Sequence, residues 1–376
     1  MRRRTTRRAV LAGFGAGVAG AAGCLGRGPA AGGSGSTSTE STPTTSTGRA
    51  GPPTSDAALP LPSSPASIRE QAVSGGPPKD GIPSIDDPAF ESADEAAGRF
   101  DPGDPVFGLT RGGEARAYPQ SILVSHEICN DVVAGEPVSV TYCPLTGTAM
   151  GFERGDTTFG VSGRLVNNNL IMYDRATETW WPQVLATAVP GPWNEEPETR
   201  SLAEFRVVWT TWERWSSTHP DTTVLSRDTG FAKNYDRDPY GSYNPRRGYY
   251  APESSPMFAS LSDDDTLPPK AVVLGARTPE GAVAFGKDRL RDDRLVAGDL
   301  AGTPVLAVYD DALDTGYVYR NPDERDFEYD ADDGTVEGPE GEVHDPDSLP
   351  LDRVLAFDAM WFAWIGFYPD TERYVQ

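Results

Sequence analysis

Beyond residue 75 the chain is dominated by short runs rich in Val, Tyr and Phe, punctuated by Gly, Pro and Asp. Residues 138–142, 169–173, 205–209, 304–309 and 317–319 have the length and the β-branched or aromatic content of strands. Two stretches space their apolar residues as a helix does instead. One is 119–129, with Ile122, Leu123 and Ile128; the other is 212–218, mirrored at 360–367. The pattern predicts an α+β fold, mainly antiparallel β, with a few short helices.

The same pattern occurs twice. An offset of 167 pairs Val106 with Val273, Gly108 with Gly275, Tyr118 with Phe285 and Tyr142 with Tyr309. Further on, Trp212, Trp215 and Pro220-Asp-Thr match Trp361, Trp364 and Pro369-Asp-Thr at an offset of 149. This predicts two related lobes from an internal duplication: 75–261, with a connecting segment, and 262–376, the shorter copy. Positions shared by both lobes, the Trp pairs included, are expected to be core. His126 aligns with Asp293 and Cys143 with Asp310, so chemistry is expected in the first lobe.

The N-terminal part reads differently. Residues 1–24 carry Arg7-Arg8, an apolar run of about 14 residues and Ala21-Ala-Gly-Cys24, the form of a twin-arginine export signal with a lipoprotein box. A membrane-spanning helix needs about 20 residues. Cys24 is then the lipidation site, and the protein is exported and lipid-anchored on the cell-surface side of the cytoplasmic membrane. Residues 25–74 are Ser, Thr, Gly, Pro and Ala with little to bury, so a disordered tether is expected there.

Charge removes one class of partner. With 33 Lys+Arg against 56 Asp+Glu the net charge is -23, and five of the arginines lie within the first eight residues. Nucleic-acid binding needs a basic footprint and is excluded. The acidic surface and scarcity of Lys suit a halophilic protein, whose self-repulsion concentrated salt screens.

Candidate chemistry lies in His126-Glu-Ile-Cys-Asn-Asp131 and in the strand that delivers Tyr142-Cys-Pro-Leu-Thr-Gly147. A helix continuing to residue 130 sets His126 and Asn130 one turn apart on one face. Pro144 and Gly147 would leave Cys143 at the sheet rim, where a ligand can approach. Three readings fit these residue types. Cys143 and His126 suit copper, with a thioether from Met150 or Met172, or zinc, with Glu127 or Asp131. Alternatively Cys143 is a nucleophile whose thiolate His126 favours, with Asn130 or Asp131 orienting the imidazole. Lastly, Cys129 and Cys143 form a disulfide, worth about 3 kcal/mol for so short a loop. A site requires His126, Asn130, Asp131, Arg164 and Cys143 to converge. Arg164 and Arg175 are candidates for anchoring an anionic ligand, against the commoner role of pairing with a nearby carboxylate.

Several signatures fail. His126-Glu127 lacks the second His of a zincin, Arg164 stands where a nucleophile elbow needs Gly, and no Cys-x-x-Cys or phosphate-binding loop occurs. Asp330 to Gly334 is better read as a hairpin turn than as a calcium loop.

In order along the chain, Asp80-Gly-Ile-Pro-Ser-Ile, Ala117-Tyr-Pro, His126-Glu-Ile, Asn130-Asp131, Tyr142-Cys-Pro-Leu, Phe159-Gly-Val-Ser-Gly, Leu170-Ile-Met-Tyr-Asp-Arg and the Trp212 segment together resemble the family known as domain of unknown function 3179, found in exported proteins of bacteria and archaea. The resemblance runs from about Gly81 to the C-terminus and implies no particular reaction, substrate or cofactor. Many members carry a second Cys where Thr146 stands, so a paired-thiol role is in doubt here. Cys129 is aliphatic in the family pattern, which argues against a general Cys129–Cys143 bridge. The leading expectation is a membrane-tethered extracytoplasmic protein with a Cys143/His126 site for transition-metal binding or thiolate chemistry. The competing one is a non-catalytic solute-binding or surface scaffold lipoprotein, with a small-molecule ligand in the cleft between the lobes.

Overall fold

The computed structural model describes residues 50–376; the export signal, Cys24 and the tether up to residue 49 lie outside the described residues. The expectation of an unstructured tether as far as residue 74 is corrected for 50–74. Thr54–Ser55 pairs with Ser201–Leu202, and Val73–Ser74 pairs with residues 164 and 165. Between them lies the helix Pro65–Glu70, capped by Ser64 and begun by Pro65. Ile68 is buried, and Leu59 and Leu61 pack on the largest core. Local capping plus one buried anchor is enough to order a segment whose prolines already restrict its backbone.

The first lobe opens with the hairpin β1 (Pro105–Arg111) and β2 (Glu114–Pro119), turned at Gly112-Gly113, where both residues have positive φ. After one helical turn, α1 (Gln120–Leu123), come β3 (Ile128–Val133), β4 (Glu136–Cys143) and β5 (Thr148–Glu153). A second sheet adds β6 (Phe159–Val166), β7 (Asn169–Asp174) and β8 (Trp180–Pro182). The chain returns through β9 (Glu204–Phe205), β10 (Val208–Thr211), α2 (Trp212–Thr218) and β11 (Thr223–Leu225).

The second lobe runs β12 (Val272–Thr278), β13 (Gly281–Gly286), α3 (Lys287–Asp293), β14 (Leu295–Leu300), β15 (Thr303–Asp310) and β16 (Thr315–Arg320). It closes with β17 (Arg353–Val354), β18 (Ala356–Met360), α4 (Trp361–Phe367) and β19 (Glu372–Tyr374). The sheet order β10-β1-β2-β11 recurs as β18-β12-β13-β19, with the last strand parallel to its neighbour in both. The order β3-β4-β5-β9 recurs as β14-β15-β16-β17. Registers recur as well: Val106 faces Pro119 as Val273 faces Gly286. All remaining pairs are antiparallel within these sheets, so the fold is mainly antiparallel β with short helices.

Each lobe places one Trp over a glycine. A Cβ on Gly108 would lie 2.1 Å from the Trp215 ring, and one on Gly275 2.1 Å from the Trp364 ring, so both positions need Gly for close approach. Each indole N–H donates to a threonine hydroxyl, Trp215 to Thr222 at 2.9 Å and Trp364 to Thr371 at 3.1 Å. Each lobe has a core of its own, around Phe107 and Tyr142 in the first and Phe285 and Val318 in the second, and the two share a third. The largest cluster combines Phe159, Leu170 and Trp180 with Val273, Trp361 and Trp364. Buried Arg277 pairs with Glu204 at 2.7 Å across the junction. Arg206, between β9 and β10, donates to Ala356 O, Gly316 O and the Thr315 hydroxyl. The described residues form one compact unit.

Two local expectations are corrected. The predicted helix over 119–129 stops at Leu123, because Glu127 takes φ +60 and residues 128–133 pair with β4. Sheet pairing outweighs a weak helical pattern. The predicted strand 205–209 splits between two sheets as β9 and β10.

Candidate functional site

Strand alternation separates the two thiols. Cys129 lies opposite Val140 and packs with Val138 and Tyr142, whereas Cys143 falls on the other face with Ser139 and Thr141. Both cysteines are free and buried, so the disulfide reading is corrected: the pleat turns the side chains apart.

Cys143 ends β4 as expected, but it is 1% exposed instead of standing at an open rim. The following turn is covered. Met360 N donates to Thr146 O at 2.9 Å, and the Tyr249 hydroxyl donates to Leu145 O at 2.8 Å. The Cys143 thiol donates to Asn168 O at 3.6 Å, and its sulfur accepts from Leu170 N at 3.4 Å. Burial, reinforced by the neighbouring Glu127 carboxylate, pushes the thiol up to about 11. At neutral pH it is a protonated, inaccessible thiol.

His126 does not face it. Its Nδ1 lies 2.7 Å from Pro83 O, which can only accept, so Nδ1 carries the proton. Its Nε2 lies 2.7 Å from the Tyr235 hydroxyl, and burial pushes the imidazole below its ordinary range. A neutral ring with both nitrogens engaged has no lone pair for a metal and no base for Cys143. Asn130 is equally committed: its amide donates to Asp86 and Phe159 O and accepts from Ser139 and Phe159 N. Its strand partner Ser139 is four residues from Cys143, about 13 Å along β4. Asp131 points to the other face, where Arg116 and Tyr118 hold it. Arg164 is exposed on β6. Arg175 pairs with Asp80 at 3.2 Å and Asp86 at 2.9 Å.

The five residues whose convergence a first-lobe site requires are therefore dispersed. Two of them, His126 and Asn130, together with Arg175, instead fasten one segment. Pro83 O receives His126, Asp86 receives Asn130 and Arg175, and Asp80 receives Arg175 and Tyr173. Ile85 N donates to Ile128 O, and Asn130 N donates to Ile85 O. Residues 80–86 are thus laced across two sheets. Among the described residues no three or more His, Cys, Asp or Glu side chains gather as a metal site. Cys143 and Glu127 without an imidazole are too few donors for copper or zinc. Glu127 is the residue that the sequence reading underrated. It is 7% exposed at a left-handed backbone position, and burial pushes its carboxyl up to about 8.

A different site lies where the lobes meet. A cleft of about 130 Å³ is lined by the same positions of both: Pro105 and Val272, Gly147 and Asp314, Trp209 and Asp358. The first lobe contributes an aromatic and apolar wall, with the Trp209 ring 5.1 Å from Tyr243. The second contributes most of the charge, with Arg246 of the connecting segment adding to it. Lys287 pairs with Asp358 Oδ2, and Arg291 grips both oxygens of Asp314 at 2.8 Å. Burial would push Asp314 up, but Arg291, Lys287 and the Tyr309 hydroxyl outweigh it and hold the carboxyl at about 2.

Three polar atoms of the lining residues have no hydrogen-bond partner among the described residues: Thr210 Oγ1, Asp358 Oδ1 and Arg246 Nε. Thr210 is 3% and Asp358 8% exposed. All three atoms are closed off from solvent, so they are unpaired within the protein and are not cleft-facing groups. One signal pointed to the cleft in the sequence. Lys287 aligns with Gln120 and Asp358 with Trp209, charged in one lobe and not in the other.

Compared with known proteins, residues 79–371 match the profile of a family described as protein of unknown function, DUF3179. No curated protein and no solved structure matches the chain.

Proposed function

The chain belongs to the DUF3179 family, and from that premise we propose that it is a non-catalytic solute-binding protein that holds a small polar molecule in the cleft between its lobes. The observation that carries this reading is the cleft itself, with Trp209 and Tyr243 on one wall and Lys287, Arg291, Asp314 and Asp358 on the other. Recurrent sheet order and register favour an ancestral duplication of the lobe. Two copies packed through like surfaces generate a junction lined by the same positions of each, as this cleft is. Divergence then left one side aromatic and the other charged. The twin-arginine motif and Cys24 support export and a lipid anchor, and a binder tethered outside the cell would meet solutes directly. Thiolate or metal chemistry at Cys143 is the weaker reading, given the engaged His126 and the protonated thiol.

The test is a thermal-shift screen of the full chain against small organic acids, amino acids and sugars. A ligand of the native state raises the Tm in proportion to ln(1 + [L]/Kd). At least one compound is expected to do so, with the response lost in Thr211→Trp. That side chain would fill the cleft, and Thr211 caps α2 without a side-chain hydrogen bond. A panel with no Thr211-dependent response would overturn the proposal.

A further inference from the structure

We infer that a groove on the first lobe, separate from the cleft, docks an extended proline-containing segment of a partner protein that carries a basic residue. The recurrent fold supplies two such grooves, each between the hairpin that opens a lobe and the turn that follows its Trp-bearing helix. The first-lobe groove is lined by Glu114 and Ala115 of β2 and by His219, Pro220 and Asp221 after α2. At the corresponding positions of the second lobe, Gly281, Ala282, Tyr368, Pro369 and Asp370 line the other. Even the rings correspond. The His219 and Trp215 ring centres are 4.2 Å apart and inclined at 50°, those of Tyr368 and Trp364 4.7 Å apart at 48°.

One of these grooves is already walled by a peptide. Pro60, Leu61 and Pro62 form a side of the second-lobe groove, and Leu61 packs on the core that contains Ala282 and Tyr368. They belong to a stretch without regular structure, in which two prolines fix φ and lower the entropy lost on ordering. No such stretch lines the first-lobe groove. It has Phe90 and Arg116 instead, with the guanidinium 4.5 Å over the Phe90 ring. One backbone surface that occurs twice, walled by a Pro-Leu-Pro segment in one copy and open in the other, identifies the kind of segment that fits. Grooves with aromatic walls suit proline-rich peptides, whose extended conformation is largely formed before binding.

Two features of the first-lobe groove narrow its occupant. His219 is half-buried, and its ring nitrogens have no hydrogen-bond partner among the described residues and are not sealed from solvent. Burial pushes the imidazole below its ordinary range, so near pH 7 it is neutral and offers one N–H. Proline removes backbone donors from a peptide but leaves its carbonyls, the acceptors that this N–H requires. Charge is the other feature. Asp221 is exposed with no ion-pair partner among the described residues, and Glu114 shares Arg116 with Asp131. One cation against three carboxylates leaves this groove acidic, which favours Lys or Arg in the peptide over Glu.

The probe is a fluorescein-labelled peptide, Leu-Pro-Leu-Pro-Ser-Lys, which is the sequence of residues 59–63 with a lysine added, titrated with the full chain and read by fluorescence anisotropy. The lowest salt that keeps the chain folded preserves the charge preference. Saturable one-to-one binding is expected, about tenfold weaker when both prolines are alanine and several-fold weaker when the lysine is glutamate. His219→Ala should weaken binding about tenfold, and His219→Tyr, which installs the ring of the second lobe, should keep most of it. Asp221→Asn changes an exposed residue and should narrow the difference between the lysine and glutamate peptides. No saturable binding by the unaltered chain, equal affinity for the alanine peptide, or binding indifferent to both His219→Ala and Asp221→Asn overturns the proposal. A dimer in sedimentation that His219→Ala dissociates would seat a second copy in the groove and overturn it as well. Groove and cleft share no lining residue, so this titration and the Thr211→Trp screen fail independently.

Discussion

The two lobes make the same backbone demands and answer them with different side chains. Glu127 and Arg294 occupy equivalent left-handed positions, at φ +60 and +64. Arg294 reaches Asp311 and lies over the Tyr309 ring, partly in solvent, while Glu127 is buried. Ala134-Gly135 and Ala301-Gly302 likewise repeat a turn with positive φ at both residues. Conformation that recurs belongs to the fold, because it is needed wherever these strands meet. Chemistry that occurs once is free of that demand. By this criterion Glu127 and the cleft charges are the informative residues, whereas the Trp pairs are architecture.

The largest effects should come from that architecture. Trp364→Ala is expected to cost about 5 kcal/mol and Trp215→Ala about 3, measured by denaturant unfolding, because Trp364 sits in the core shared by both lobes and Trp215 in a small satellite cluster. Equal costs would mean that the shared core adds nothing to the second lobe's packing.

Glu127 and Arg294 should then separate by pH. Glu127 titrates at its ordinary 4.5 when unfolded and at about 8 when folded. The folded state therefore holds the proton more tightly. The associated stability is complete below pH 4.5 and is lost as pH rises through 8, at about 1.4 kcal/mol per unit. Glu127→Gln should flatten that loss, leaving the variant more stable than the parent at pH 9 by a few kcal/mol. Arg294→Gln should leave the profile over that window unchanged. Melting curves from pH 4 to 9 decide it, and a parallel fall in parent and Glu127→Gln would place the titrating group elsewhere.

Smaller effects test the threonines. Thr222→Val and Thr371→Val each strand an indole N–H and should cost about 1 to 3 kcal/mol, alike in the two lobes. Thr210→Val removes a hydroxyl that has no partner and should change stability by no more than about 0.5 kcal/mol. A cost as large as that at Thr222 would show that the Thr210 hydroxyl is already satisfied.

Much of the fold was legible because its signals are local. Alternation and punctuation located β4, β7, β15 and β16, the spacing of Trp212 and Trp215 located α2, and the turn at Gly334 joins two short strands as read. The site was less legible. His126, Asn130 and Cys143 are the residue types of a catalytic or metal centre, and residue type carries no information about which face of a sheet a side chain takes.

What the chain determined by itself was therefore its class, its strand segments, its acidic character and the offset at which one lobe echoes the other, all of them properties of neighbouring residues or of composition. Tertiary structure decided the rest. Register put Cys129 and Cys143 on opposite faces, the crossing of residues 80–86 claimed His126 and Asn130, and the lobes' junction brought Trp209 and Thr210 to Lys287 and Asp358. Each of these depends on pairings between segments tens to hundreds of residues apart, where a shift of one residue in register would exchange the buried and exposed sets.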